Sequence, residues 1–187
     1  MSFVGGVGYS NIDLIYSGLD RLPDKGEEIF ARGFSMQFGG GIPATMINLS
    51  RLGVESRIIT FAGHDLFSEF VKKTLNSYPV KTVNLYKGNK MPVVLSSTLL
   101  YCGDRSFISY TDGMDLNDAV MDEVYENLKG AYVVDMHVGF LDVYKRLKKD
   151  GCIQIFDTGW EDDLTLEKYK DYLEIADYRN VQCGRGC

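Results

Sequence analysis

Short apolar runs bounded by glycine alternate along this chain with stretches whose apolar residues recur at helical spacing. That alternation constrains the fold more than any single motif. Residues 3–9, 57–62, 131–136 and 152–156 are strand-like runs, the first of them rich in glycine (Gly5, Gly6, Gly8). Residues 43–52, 65–75, 120–128 and 140–147 read as helices; in the second, Phe67, Phe70, Val71 and Leu75 share one face. Leu166, Tyr169 and Leu173 mark a last helix ending near Ala176. Pro43 in a first turn and Gly53 just past an end are the expected punctuation of the first helix. Strands alternating with helices imply an open, mostly parallel α/β sheet with helices on its faces.

Some segments break that rhythm. Residues 28–38 alternate apolar and polar side chains, and 81–86, 92–101 and 105–110 are β-type stretches in succession. A small protruding sheet built from about 28–38 and 92–110 accounts for most of them. Gly103-Asp104 suits a two-residue type II′ hairpin turn, with glycine supplying the positive φ. In open α/β sheets, ligands bind beyond the carboxyl ends of the strands. Residues 8–13, the Gly39-Gly40-Gly41 turn, His137 and residues 157–159 fall at that edge.

Composition narrows the function. With 187 residues, 45% of them hydrophobic, the chain supports one packed domain and excludes a disordered tail. A formal net charge of −6 argues against nucleic acid or an anionic membrane as the main partner. No apolar run reaches the roughly 18 residues of a spanning helix, and the first residues lack the basic start of a signal peptide. Cys102, Cys152, Cys183 and Cys187 are too few and too scattered for a disulfide scaffold. A reducing, cytoplasmic setting is expected.

Four places could carry chemistry. Gly6-Val-Gly8-Tyr-Ser-Asn11 is a partial dinucleotide fingerprint whose third glycine is replaced by Asn11. In an extended loop, Asn11 and Asp13 would face the same side. An amide and a carboxylate together make a receptor for neighbouring hydroxyls, although an Asx-turn would also use them. Phe38-Gly39-Gly40-Gly41-Ile42-Pro43 opens a helix, where bare backbone N–H groups can meet a ligand or simply close a tight turn. His64 and His137 are the only histidines, and a lone histidine suits a pocket hydrogen bond better than a metal. Cys183 and Cys187 are at most half of a zinc site, so no metal site is expected. Residues 160–163 (Trp-Glu-Asp-Asp) read as an acidic turn whose carboxylates suit a helix start.

Taken in order, these pieces resemble the ribokinase, or phosphofructokinase-B-like, carbohydrate kinases over about residues 3–178. The matching pieces are Asn11-x-Asp13, Gly39-Gly40, Leu49-Ser-Arg-Leu-Gly53 and Gly63-x-Asp65. They continue with Gly103-Asp104-Arg105-Ser106-Phe107, Ile155-Phe-Asp157-x-x-Trp160 and Ile175-Ala-Asp177-Tyr178. The resemblance implies a ribokinase-like α/β body and a β-lid that closes over a sugar and often forms a dimer contact. It also implies phosphoryl transfer from ATP with Mg2+. It assigns Asp13, Gly39 and Gly40 to substrate hydroxyls, and Asn11, Gly41, Thr45 and His137 complete the set of residues expected at the sugar. The family's Asn after the Gly-Gly turn falls on Ala44, with Thr45 beside it. The family's late Gly-Ala-Gly-Asp segment, source of its general base and anion hole, does not occur. No catalytic residue is therefore assigned within these residues. The chain is expected to bind a sugar better than it phosphorylates one. Residues 179–187 read as an atypical tail. A sugar-binding or regulatory module without nucleotide chemistry is the alternative.

Overall fold

The computed structural model describes residues 2–159 and 165–180. The elements in chain order are β1 (Phe3–Val7), β2 (Asn11–Ser17), β3 (Gly33–Gly39), α1 (Gly41–Arg51), β4 (Ser56–Thr60), α2 (Leu66–Asn76) and β5 (Lys81–Asn84). They continue as β6 (Val94–Tyr101), β7 (Asp104–Tyr110), α3 (Asp118–Leu128), β8 (Ala131–Met136), α4 (Leu141–Lys149), β9 (Ile153–Asp157), α5 (Leu166–Ile175) and β10 (Tyr178–Asn180). Six strands form one parallel sheet in the order β10-β9-β8-β1-β4-β5. The order runs outward in both directions from β1 and β8, so the topological switch lies between them.

Helices cover both faces of this sheet. Val124 and Leu128 of α3, Val143, Tyr144 and Leu147 of α4 and Tyr169 of α5 pack with Val7, Val134, Met136 and Phe156. On the other face, Ile42, Met46 and Ile47 of α1 and Val71 and Leu75 of α2 pack with Ile58 and with Ile12. Each such fully buried side chain contributes roughly 1.5–3 kcal/mol relative to exposure. The glycines of β1 explain how close the helices come. A Cβ on Gly5 would meet Leu128 of α3 at 2.6 Å, and one on Gly6 would meet Ile42 of α1 at 2.5 Å. Glycine is needed there for packing, and the strand leads into β2 rather than a helix. A dinucleotide fingerprint requires a helix at that point, so that reading of residues 6–11 is overturned.

The protruding sheet has the order β3-β2-β6-β7, with β2 parallel to β6 and the outer pairs antiparallel. The segments 28–38 and 92–110 supply three of its strands, and the fourth, β2, begins with Asn11 and Asp13, which the sequence reading places in an extended loop. Strand β3 covers 33–39 and not 28–32. Its pairing with β2 runs from Asn11↔Gly39 to Ser17↔Gly33, and Gly18, at φ 71°, turns the chain away at that limit. Lys81–Asn84 joins the main sheet as its edge strand. The hairpin turn is also corrected. Tyr101 pairs with Asp104, so the loop residues are Cys102 and Gly103 with φ 49° and 77°. Positive φ at both positions makes a type I′ turn rather than the II′ turn expected at Gly103-Asp104. Arg179 and Asn180 lie in β10, while 160–164 and 181–187, with Cys183 and Cys187, lie outside the described residues. Among the described residues no helix is long and apolar enough to cross a membrane.

Candidate functional site: the polar lid face and the glycine turn

Strand alternation sorts the lid into two faces. The register places Asn11, Asp13, Gln37, Ser96, Ser109 and Arg105 on one side, and Ile12, Leu14, Phe34, Met36 and Ile108 on the other. The polar side carries a hydrogen-bonded chain. Asn11 Nδ2 donates to Asp13 Oδ1 at 2.8 Å, Ser96 Oγ donates to Asn11 Oδ1 at 3.4 Å, and the Ser96 and Ser109 hydroxyls are 2.8 Å apart. Among the described residues, Asp13 Oδ2 accepts no hydrogen bond. Burial pushes the Asp13 carboxyl above its ordinary value, opposed by the Asn11 hydrogen bond and the charge of Arg105. A cleft of about 570 Å³ runs along the lid hairpin from Leu100 to Arg105.

The three glycines do three different things. Gly39 ends β3, and a Cβ there would lie 2.7 Å from Asp13 Oδ2, so its bareness lets the carboxylate sit against the strand. Gly40 is the N-cap of α1 at φ 104°, and a Cβ there would lie 2.7 Å from the Tyr9 carbonyl. Gly41, the first residue of α1, is exposed with nothing within 4 Å of a Cβ. The first two satisfy the turn, and the third leaves open space at a helix amino terminus with no acidic residue in its first turn. One turn on, Thr45 Oγ1 donates to the Gly41 carbonyl at 3.1 Å.

His137 follows β8 at the same edge. Its backbone N–H donates to the Tyr144 hydroxyl at 2.8 Å. Its Nδ1 lies 2.8 Å from the Val138 carbonyl, which can only accept, so Nδ1 carries the proton. Burial pushes the imidazole pKa down, favouring the neutral ring with Nε2 as an acceptor. Tyr9 links the parts: its ring is 6.0 Å from the His137 ring and its carbonyl abuts Gly40. The fold thus brings Asn11, Asp13, Gly39, Gly40, Gly41 and Thr45 together along β2, β3 and α1, and joins His137 to them through Tyr9.

Three residues escape the sequence reading. Tyr9, between β1 and β2, gains a place through its contacts with His137 and Gly40, and Arg105 gains one through the lid register. Asp135 carries a signal in the sequence, as the single acid within the run Ala-Tyr-Val-Val-Asp-Met of β8. Its carboxyl is pushed up to about 6, mainly by burial and also by the nearby Asp157, while the Thr45 hydroxyl favours its ionised form. Asp157 is exposed and accepts from the Gly159 N–H and from Asn180 Nδ2, each at 2.8 Å. Gly63-x-Asp65 proves structural. Asp65 caps α2 by accepting from the N–H groups of Phe67 and Ser68 at 3.0 Å, with His64 exposed before it. Among the described residues, no group of three His, Cys, Asp or Glu could hold a metal ion.

Comparisons with known proteins agree with this fold. A model of the pfkB family of carbohydrate kinases matches residues 1–179. A curated protein described as a sugar kinase, from Pyrococcus horikoshii, is 35% identical over 92 residues, 46% of this chain and 30% of its own length. Ribokinase from Giardia lamblia superposes with a TM-score of 0.79 at 17% identity, over 100% of this chain and 61% of that one. Ribokinase from Arabidopsis thaliana, solved with ribose and ATP, gives 0.74 at 21% identity over 97% of this chain and 60% of that one. The chain therefore spans about 60% of the length of these solved relatives.

Proposed function

The chain belongs to the pfkB family of carbohydrate kinases, and from that premise we propose that it provides the acceptor side of phosphoryl transfer from ATP to a sugar hydroxyl. One observation carries the reading. The Asn11–Asp13 pair lies on the polar face of the lid and is joined in register to the glycine turn that opens α1. Ionised Asp13 accepts from one or two sugar hydroxyls, and Asn11, already donating to it, accepts or donates to a neighbour. Gly41 admits the sugar close to the backbone. Thr45 and the neutral His137 Nε2 offer acceptors at the far side. Alanine at position 44, where the family favours Asn, leaves this pocket with fewer polar contacts and a preference among sugars of its own.

The described residues fit the sugar better than the nucleotide. The glycine-opened start of α1 runs directly out of lid strand β3, beside Asp13, and no three-ligand metal group is present among the described residues. Catalysis of transfer depends on positioned charge at the phosphoryl group. The sequence holds no Gly-Ala-Gly-Asp segment to supply it, which favours weak or absent turnover by these 187 residues and keeps a sugar-binding module as the second reading. Two further parts of the proposal concern setting. The apolar lid face, with Phe34, Ile108 and Tyr110 exposed, forms a homodimer contact. The unbridged, exposed Cys102 suits the cytoplasm.

Thermal-shift and calorimetric titration of a sugar panel against the native chain and Asp13→Ala tests this reading. Stabilisation by at least one sugar, lost in the variant, is expected. A native chain indifferent to every sugar, or a variant that binds equally well, overturns it. Robust phosphate transfer by the 187 residues overturns the claim that turnover needs more than they contain.

A further inference from the structure

A second cavity, of about 390 Å³, lies between lid strand β3, α1 and α2. Its floor is Phe38, Ile47 and Phe70, which belong to the apolar cluster that α1 and α2 bury. Its rim carries Gln37, Asn48, Arg51 and Tyr78. None of these four side chains makes a hydrogen bond or an ion pair among the described residues. Arg51 differs in this from Arg21, Arg32, Arg57 and Arg146, each of which donates to a partner. Arg51 is also the only charged residue of the lining, and no carboxylate is part of it. The polar lid face is built the other way round, with the Asp13 carboxylate as its acceptor.

We propose that this cavity is a binding site for a small aromatic carboxylate, its ring on Phe38, Ile47 and Phe70 and its acid group on Arg51. The volume lies in the range of small-molecule pockets, which begin at about 300 Å³. Ile47 and Arg51 are one helical turn apart, a rise of about 6 Å, which a ring with a short acid arm spans. A planar ring packs offset or edge-to-face on the two phenyl groups. The guanidinium offers a carboxylate two parallel N–H donors, and the amides of Gln37 and Asn48 and the Tyr78 hydroxyl add further donors at the rim. Charge selects a carboxylate over a phosphate ester, which carries nearly two negative charges near neutrality and would meet one cation. A sugar finds no carboxylate here to accept its hydroxyls and would have to lay them on an apolar floor. On a chain of net charge −6, an unpaired cation above aromatic rings is a selective place for an organic anion. None of this depends on the sugar reading.

The test is titration of the nitrogen-15-labelled 187-residue chain with indole-3-acetate, followed by amide NMR. Saturable shifts confined mainly to residues 37–51 and 70–78 are expected, with a Kd on the order of 0.1–1 mM for a ligand of this size. Indole-3-acetamide, the same ring without the charge, should bind about ten-fold more weakly, and phenyl phosphate more weakly than phenylacetate. Arg51→Gln should weaken indole-3-acetate by about the same ten-fold, and Asn48→Glu, which puts a carboxylate on the rim, by at least as much. Both positions are exposed on a helix, so the variants keep the fold. Asp13→Ala should bind indole-3-acetate as the native chain does. No saturable shift, equal affinity for acid and amide, a preference for the phosphate, or unchanged affinity in Arg51→Gln overturns the proposal. So does loss of binding in Asp13→Ala, which would put the acid on the polar lid face. A chain that ignores every sugar but binds indole-3-acetate sinks the functional reading and leaves this one standing.

Discussion

Asp13 and Asp135 are both carboxyls raised by burial, yet their surroundings differ. Asp13 has Asn11 and Arg105 to favour its charge and an oxygen without a hydrogen bond among the described residues. Asp135 has a second carboxylate nearby and a single hydroxyl. Truncating Asp13→Ala removes a charged acceptor worth roughly 1.5–3 kcal/mol to a bound hydroxyl, so sugar affinity should fall at least about ten-fold by calorimetry. For Asp135 the consequence is for stability. Its folded pKa lies above its unfolded value of about 3.9, so the native state holds the proton more tightly between that value and about 6. The resulting contribution is complete below the lower value and is lost as pH rises through the upper one. Asp135→Asn has nothing to lose. In urea denaturation it should gain on the native chain by on the order of 2 kcal/mol near pH 7 and show almost no gain near pH 4. Equal gains at both values would mean that the folded carboxyl is not held neutral.

The elements are joined by connections that leave little room for substitution. Between β3 and α1 stands one residue, Gly40, at φ 104° and with the Tyr9 carbonyl where a side chain would begin. Gly40→Ala combines strained backbone with a clash and should cost about 1–3 kcal/mol in chemical denaturation, with loss of sugar binding because the turn carries Gly41. The start of α2 depends on the Asp65 cap, which also accepts from Ser68 Oγ at 2.6 Å. Asp65→Ala should cost about 1–2 kcal/mol and leave sugar affinity unchanged, which separates this motif from the binding site. The sequence Gly63-x-Asp65 marks a helix start correctly. Its role as cap rather than ligand follows only from the distances.

At the scale of the whole molecule, the lid is amphipathic in a way the main sheet is not. Ile12, Leu14 and Phe38 on its apolar side pack against α1 and α2, while Phe34 and Ile108 farther out are 62% and 70% exposed. A sheet with exposed apolar residues and a free outer edge at β7 is normally paired or covered. The chain should sediment as a dimer at micromolar concentration, and Ile108→Asp should convert it to monomer without lowering its melting temperature in proportion. A native monomer would count against the lid contact. The α/β rhythm, the helix punctuation by Pro43 and Gly53 and the lid segments after residue 92 were all legible, because each follows from side-chain periodicity within a short window.

Local pattern determined that much: an α/β sheet, a protruding β-rich piece, and Asn11, Asp13 and a glycine turn beyond the end of the first strand. Periodicity and turn chemistry act between residues a few positions apart, so a single chain read in order reveals them. Tertiary structure alone decided the rest. The strand character of Asn11–Ser17 depends on β3 and β6, whose partners lie 16 to 28 and 83 residues later in the chain. The division of labour among Gly39, Gly40 and Gly41 depends on which atoms stand opposite each. The state of Asp135 depends on burial and on Thr45 and Asp157, brought to it by α1 and β9. Register and desolvation are properties of groups distant in sequence, and they come into being only when the chain is packed.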